Sequence, residues 1–278
     1  INDQVANIML TGIGGTGVLT ISAILAYAAH YEGKDSSVLD MTGLAQKGGA
    51  VWSHIKIYEK GVAPFSQKIS PGAADILLAC DGVVGTKPEI QEVISRDRTL
   101  TVLNSNTAPV ADFVTNRDLD FKNNDVLKML EATTKKIVSL VPAIKISEEL
   151  SGDAIGTNML MLGSAYQNGL IPLKAENIIK AIELNGVGIE RNVYNFNLGR
   201  LYAINPNHEI FEFLNRDNVK NLNSVELFED RLDKIRNYDK KVVKDFTENK
   251  DLIDQILSQE IETELVSKSA IKELYRVF

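Results

Sequence analysis

Residues 5–31 read VANIMLTGIGGTGVLTISAILAYAAHY, and this stretch decides the fold. Val5–Leu10 is a short apolar run ending toward glycine, and Val18–Tyr31 is a long apolar helix stopped by Gly33. Between them lies Thr11-Gly12-Ile13-Gly14-Gly15-Thr16-Gly17, in which Gly12, Gly14 and Gly17 satisfy G-x-G-x-x-G. The strand before and the helix after are the context that pattern requires. Glycines let the backbone turn tightly and approach a ligand. The helix that begins at Val18 aims unpaired N–H groups and the positive end of its dipole at that point, so an anion such as a phosphate is the natural occupant. The competing reading is that the glycines only permit tight strand–helix packing.

Outward from this unit, strands and helices alternate. Ser37–Met41, Val51–Tyr58, Asp75–Cys80, Thr99–Asn104 and Ile137–Val141 read as further strands, with a helix over about Lys87–Ser95. Val51, Ser53, Ile55 and Ile57 fall on one face of their strand, and Trp52, His54, Lys56 and Tyr58 on the other. Only about eight residues join the second and third strands. A parallel crossover needs a dozen or more, so one of these strands is antiparallel or non-adjacent. The expectation is an α/β three-layer sandwich around a mostly parallel, mixed, Rossmann-like sheet.

Three helices are expected over Ala154–Gly199. In the first, Ile155, Met159, Leu162 and Tyr166 line one face, while Ala154, Gly156 and Gly163 keep the others slim. All 19 glycines lie between Gly12 and Gly199, and all seven prolines end at Pro206. Beyond that point Val225, Phe228, Leu232, Ile235, Val242 and Phe246 recur at helical steps. The expected organisation is an α/β domain over 1–215 and a helical extension over 216–278. The chain opens on Ile1 without an initiator Met or a secretory leader pattern, and the expectation is an excised piece of a longer protein.

Composition narrows the function classes. Hydrophobic residues make up 44% and charged residues 24%, the balance of a globular chain. The net charge of −7 argues against nucleic-acid binding through bulk charge. No apolar run is long enough for a transmembrane helix, and a cytoplasmic location is expected. Cys80 is the single cysteine, too few thiols for a self-contained iron–sulfur cluster or structural zinc site.

A second loop directly after the second strand, Thr42-Gly43-Leu44-Ala45-Gln46-Lys47-Gly48-Gly49, sits where open α/β sheets bind ligands. Gly48 and Gly49 can leave backbone exposed, and Lys47 supplies a cation beside them. With the Gly12–Gly17 turn this would make a two-sided anion cradle; a solvated lysine on an ordinary glycine turn is the bland alternative. Asp40 stands where a dinucleotide-binding fold places its ribose-reading acid. Asp81 and Asn104 also fall at strand ends, where capping explains them equally well. His30, His54 and His208 lack metal-ligand spacing, His54 reads as packed against the sheet, and Cys80 as an inert core thiol. Gly152-Asp153 begins like a thiamine-diphosphate metal motif but continues Ala154-Ile155, which rejects it.

The segments TGIGGTGVLT, LDMTGLAQKGGAVWSHIKI, ADILLACD and GDAIGTNMLMLGSAYQNGLIPL resemble the gamma domain of 2-oxoacid:ferredoxin oxidoreductases, especially the single-chain indolepyruvate type. The resemblance runs from about Val5 to Arg200, with Gln46–Val51, Ser53 and His54 its most specific part. It implies a share in oxidative decarboxylation of a 2-oxoacid to an acyl-coenzyme A, with electrons passed to ferredoxin. Thiamine diphosphate, Mg and iron–sulfur clusters would belong to other domains, so the chain alone is expected to be inactive. The domain's implied role is structural and coenzyme-A-facing, beside thiamine-binding and iron–sulfur partner domains in a homodimer of the parent chain. It carries over first to Lys47, Gly48 and Gly49, and second to Gly14, Gly15, Thr16 and Gly17. An NAD(P)- or FAD-binding dehydrogenase domain, on G-x-G-x-x-G with Asp40, is the alternative.

Overall fold

The computed structural model describes residues 5–42, 49–62, 64, 66–105 and 123–216. Lys47, Gly48 and, from residue 217 on, the expected helical extension lie outside the described residues.

Six strands form one sheet: β1 (Val5–Ile13), β2 (Asp35–Thr42), β3 (Ala50–Tyr58), β4 (Ile76–Ala79), β5 (Leu100–Asn104) and β6 (Lys136–Val141). Their order is β2-β3-β1-β4-β5-β6. β3 runs antiparallel to both β1 and β2, while β1, β4, β5 and β6 pair in parallel. The mixed sheet follows from the short β2–β3 connection, which can close only an antiparallel pair.

Because side chains alternate across each strand, the central strands supply two cores. Ile8, Leu10, Ile55, Ile76, Leu78 and Val102 face one side. There they meet α1 (Val18–Tyr31), α5 (Ala143–Ser151), α6 (Thr157–Gln167), α7 (Ala175–Asn185) and α8 (Ile189–Ile204). Met9, Ile13, Leu77, Ala79 and Leu103 face the other, against α2 (Gly82–Gly85), α3 (Pro88–Gln91) and α4 (Asn123–Thr133). Burial on both faces explains why β1 and β4 read as continuous apolar runs rather than as alternation.

Three expectations need correcting. The helix expected over about Lys87–Ser95 shrinks to the single turn of α3, and another one-turn helix, α2, precedes that span. Asp81 caps α2 by accepting from the Val84 N–H at 2.8 Å, and Pro88 opens α3. Ile155 does not line the face of α6: it lies in the 3-10 turn Ala154–Gly156 ahead of the helix and is 58% exposed. Third, β1 runs on to Ile13 rather than stopping at Leu10, because Gly12 and Ile13 pair with Val51 and Ala50. The turn proper is therefore Gly14–Gly17.

α6 is buried on every side from Thr157 to Ala165, as its small residues suggest. It crosses α8 with the two backbones in contact. A Cβ at Gly163 would stand 1.9 Å from the Phe196 carbonyl oxygen, and one at Gly199 1.9 Å from that of Leu160.

Candidate anion-binding site

The helix after β1 packs on one face of the sheet, and the helices after β4 pack on the other. The carboxyl ends of these neighbouring parallel strands are thus a topological switch point, where open α/β sheets bind ligands.

The turn after β1 occupies this place. Gly15 and Gly17 have φ of +88° and +90°, a region that side-chain-bearing residues enter only at a cost. Gly17 is the N-cap of α1 in the left-handed conformation, and no side chain caps the helix there. No acidic residue occupies the first turn of α1, so nothing there offsets the positive end of a 14-residue helix. Gly15 and Thr16 are exposed, which leaves the turn open to solvent.

Gly12 does not share this exposure. It is buried within β1, and a Cβ there would meet Val18 Cγ2 at 2.4 Å. Its lack of a side chain lets the start of α1 fold back on the strand, so here the packing reading holds rather than the ligand one. The Gly14 N–H donates to the Gly49 carbonyl at 2.8 Å, continuing the β1–β3 pairing one step beyond Ile13. The two glycine segments singled out in the sequence therefore meet. Gly48 and Lys47 precede Gly49 in the chain but are not described.

Asp40 is displaced from the place its sequence position suggested. β3 lies between β2 and β1, so Asp40 sits on the edge strand, two strands away from the glycine turn. Its Oδ1 accepts from Ser53 Oγ at 2.5 Å and Ser22 Oγ at 3.1 Å. These bonds pin β2 and β3 to α1. A ribose-reading acid belongs on the strand beside the glycine strand, so this geometry removes the support for a dinucleotide site.

The other strand-end residues tie the sheet together. Cys80 N–H donates to the Thr11 carbonyl at 3.0 Å, and Thr11 Oγ1 to the Asp81 carbonyl at 3.2 Å, joining the ends of β1 and β4. Asn104 Nδ2 donates to the Cys80 carbonyl, while its Oδ1 accepts from the Ala143 N–H. Burial, reinforced by the neighbouring Asp81, pushes the Cys80 thiol far up, so it stays protonated and inert. His54 is 1% exposed, and its Nδ1 accepts from the Ile69 N–H at 3.2 Å. Burial first, and then Lys68 and Lys56, lowers its pKa to about 4. It is a neutral structural acceptor. Asp153, from the rejected thiamine motif, accepts from the Ile155 N–H and pairs with Arg191 at 3.0 Å.

Sequence reasoning missed Asn158 in the first turn of α6. Its Nδ2 donates to the Thr16 carbonyl at 2.7 Å, across 142 residues of chain. An asparagine on a helix buried all round was the available signal, since such a side chain needs a partner.

The model of the pyruvate ferredoxin/flavodoxin oxidoreductase family matches residues 7–202. The chain belongs to that family. Among its relatives, the indolepyruvate oxidoreductase subunit IorB of Archaeoglobus fulgidus is 28% identical over 63% of this chain and 83% of the relative. The pyruvate/ketoisovalerate oxidoreductases common subunit gamma of Pyrococcus furiosus is 28% identical over 62% of this chain and 82% of the relative. The fold is also that of a solved 2-oxoglutarate:ferredoxin oxidoreductase from Magnetococcus marinus, which carries 2-oxoglutarate, coenzyme A and succinyl-CoA. That likeness has a TM-score of 0.54 at 15% identity and covers 72% of this chain but 31% of the other. The family match supports the gamma-domain resemblance that the glycine and Gln-Lys-Gly-Gly segments carried. As to membranes, no described helix is long and apolar enough to cross one.

Proposed function

We propose that this chain serves a 2-oxoacid:ferredoxin oxidoreductase by holding the phosphate groups of coenzyme A. The site would be the turn Gly14, Gly15, Thr16 and Gly17 together with Lys47, Gly48 and Gly49. The observation that carries the reading is the Gly14–Gly49 hydrogen bond, which sets Gly49, the last residue of the second glycine segment, beside the exposed turn that leads into an uncapped helix. Backbone N–H groups at such a helix start accept a phosphate without displacing a competing side chain. Lys47, one of the residues just before Gly49, would add a mobile cation. Coenzyme A carries a 3′-phosphate and a pyrophosphate, chemistry that suits this donor set, and coenzyme A is bound in the Magnetococcus marinus relative.

The redox steps fall to other parts of the enzyme. One cysteine cannot by itself hold an iron–sulfur cluster, and Asp153, in the segment rejected as a thiamine metal motif, pairs with Arg191 and accepts from the Ile155 N–H. Thiamine-binding and iron–sulfur partners, with ferredoxin as acceptor, complete the proposed reaction; indolepyruvate and pyruvate are the first 2-oxoacids to test, after the relatives' names. Coenzyme A and dephospho-coenzyme A should be titrated into the whole oxidoreductase, with and without Lys47→Ala. The expected result is weaker binding of the dephospho form and a rise in KM for coenzyme A of about tenfold in the variant. Equal affinities together with an unchanged KM would dismiss the assignment.

A further inference from the structure

We infer that Asn158 is a positioning residue for the glycine turn, holding from behind the backbone that would contact the ligand. The inference rests on the turn being the anion site proposed above. Three observations carry it. Asn158 is 4% exposed, so its amide is committed to protein rather than to water. Nδ2 donates to the Thr16 carbonyl at 2.7 Å and lies 3.3 Å from Thr16 Oγ1, while Thr16 Oγ1 also bonds the Ile13 carbonyl at 2.7 Å. The same Nδ2 stands 4.0 Å from the place a Cβ would occupy on Gly17. One buried amide thus anchors the exposed turn at its centre and abuts the helix cap.

What Asn158 is fixed to matters as much as what it touches. It lies in the first turn of α6, and α6 is locked to α8 by the paired contacts at Gly163 and Gly199. The anchor is therefore rigid, whereas Gly15 and Gly17, without a Cβ, are not. Without the amide, the Thr16 carbonyl loses its donor and the turn gains conformations in which its N–H groups diverge. A preorganised anion site pays less ordering entropy on binding, so losing the anchor should weaken binding while leaving bound-state chemistry intact.

The test uses the whole oxidoreductase carrying Asn158→Ala or Asn158→Asp, the second keeping the shape but removing the donor. Amide hydrogen exchange over residues 15–19 should accelerate in both variants without ligand. KM for coenzyme A should rise about five- to tenfold, with kcat within about twofold of the parent. Unchanged exchange at 15–19 overturns the positioning role whatever the kinetics show. A fall in kcat and melting temperature with no change in KM overturns it too, since it marks a residue of merely structural importance. Faster exchange with unchanged KM in both variants keeps Asn158 as the anchor of the turn but overturns coenzyme A as its ligand, so the two readings fail separately.

Discussion

His54 shows how one buried side chain writes pH dependence into the fold. It stays neutral in the folded protein down to about pH 4, whereas in the unfolded chain it titrates near 6.5. As pH falls through 6.5 the unfolded state takes up a proton that the folded state refuses, so stability is lost between pH 6.5 and about 4. The ceiling on this loss is about 3 kcal/mol, from 1.36 kcal/mol per pKa unit. Urea midpoints at pH 7 and pH 4.5 should therefore converge in His54→Gln relative to the parent, and parallel shifts in both proteins would refute the assignment. Position alone marked His54 as a sheet-packed histidine. Its acceptor role toward Ile69 was not legible, because the segment that supplies the N–H follows a loop and not a periodic element.

Among the elements, the α6–α8 crossing bears the greatest constraint. Gly163 and Gly199 each face a carbonyl of the opposite helix at a distance no Cβ can occupy. Alanine at either position must push the helices apart, and such overpacking costs roughly 1–3 kcal/mol or more. Gly163→Ala or Gly199→Ala should lower the denaturant midpoint accordingly, whereas Gly33→Ala should cost less, since nothing lies near its absent Cβ and only its φ of +74° resists. Similar losses at all three would show that backbone conformation rather than helix contact dominates. The sequence placed Gly163 in a slim helix and said nothing of this kind about Gly199, because helical periodicity names a face and not the partner that fills it. Asn158 escaped notice for the same reason: its bond spans 142 residues, a separation at which no local pattern operates.

At the scale of the molecule, strand order decides which ligand the glycine turn can serve. With β3 inserted between β1 and β2, the place beside the glycine strand holds an antiparallel strand, and Asp40 is bound to Ser22 and Ser53 instead of facing a ribose. Thermal-shift measurements on the whole oxidoreductase should then show stabilisation by coenzyme A and none by NAD, NADP or FAD. Stabilisation by NAD alone would reverse the conclusion drawn from Asp40. Added salt should reduce the coenzyme A effect, because an exposed phosphate site is screened within about 10 Å at 0.1 M.

The sequence by itself determined the strand–turn–helix unit at 5–31, the mixed character of the sheet and the family, because each rests on local geometry or on contiguous residues. Backbone conformation at Gly14–Gly17 is likewise a local matter, although the turn was expected to begin at Gly12, which the strand in fact includes. Only the tertiary structure decided the order of the strands, the meeting of Gly14 with Gly49, the withdrawal of Gly12 into the core and the anchoring of Thr16 by Asn158. These depend on which surfaces pack together, and packing is set by the shapes of elements far apart in the chain.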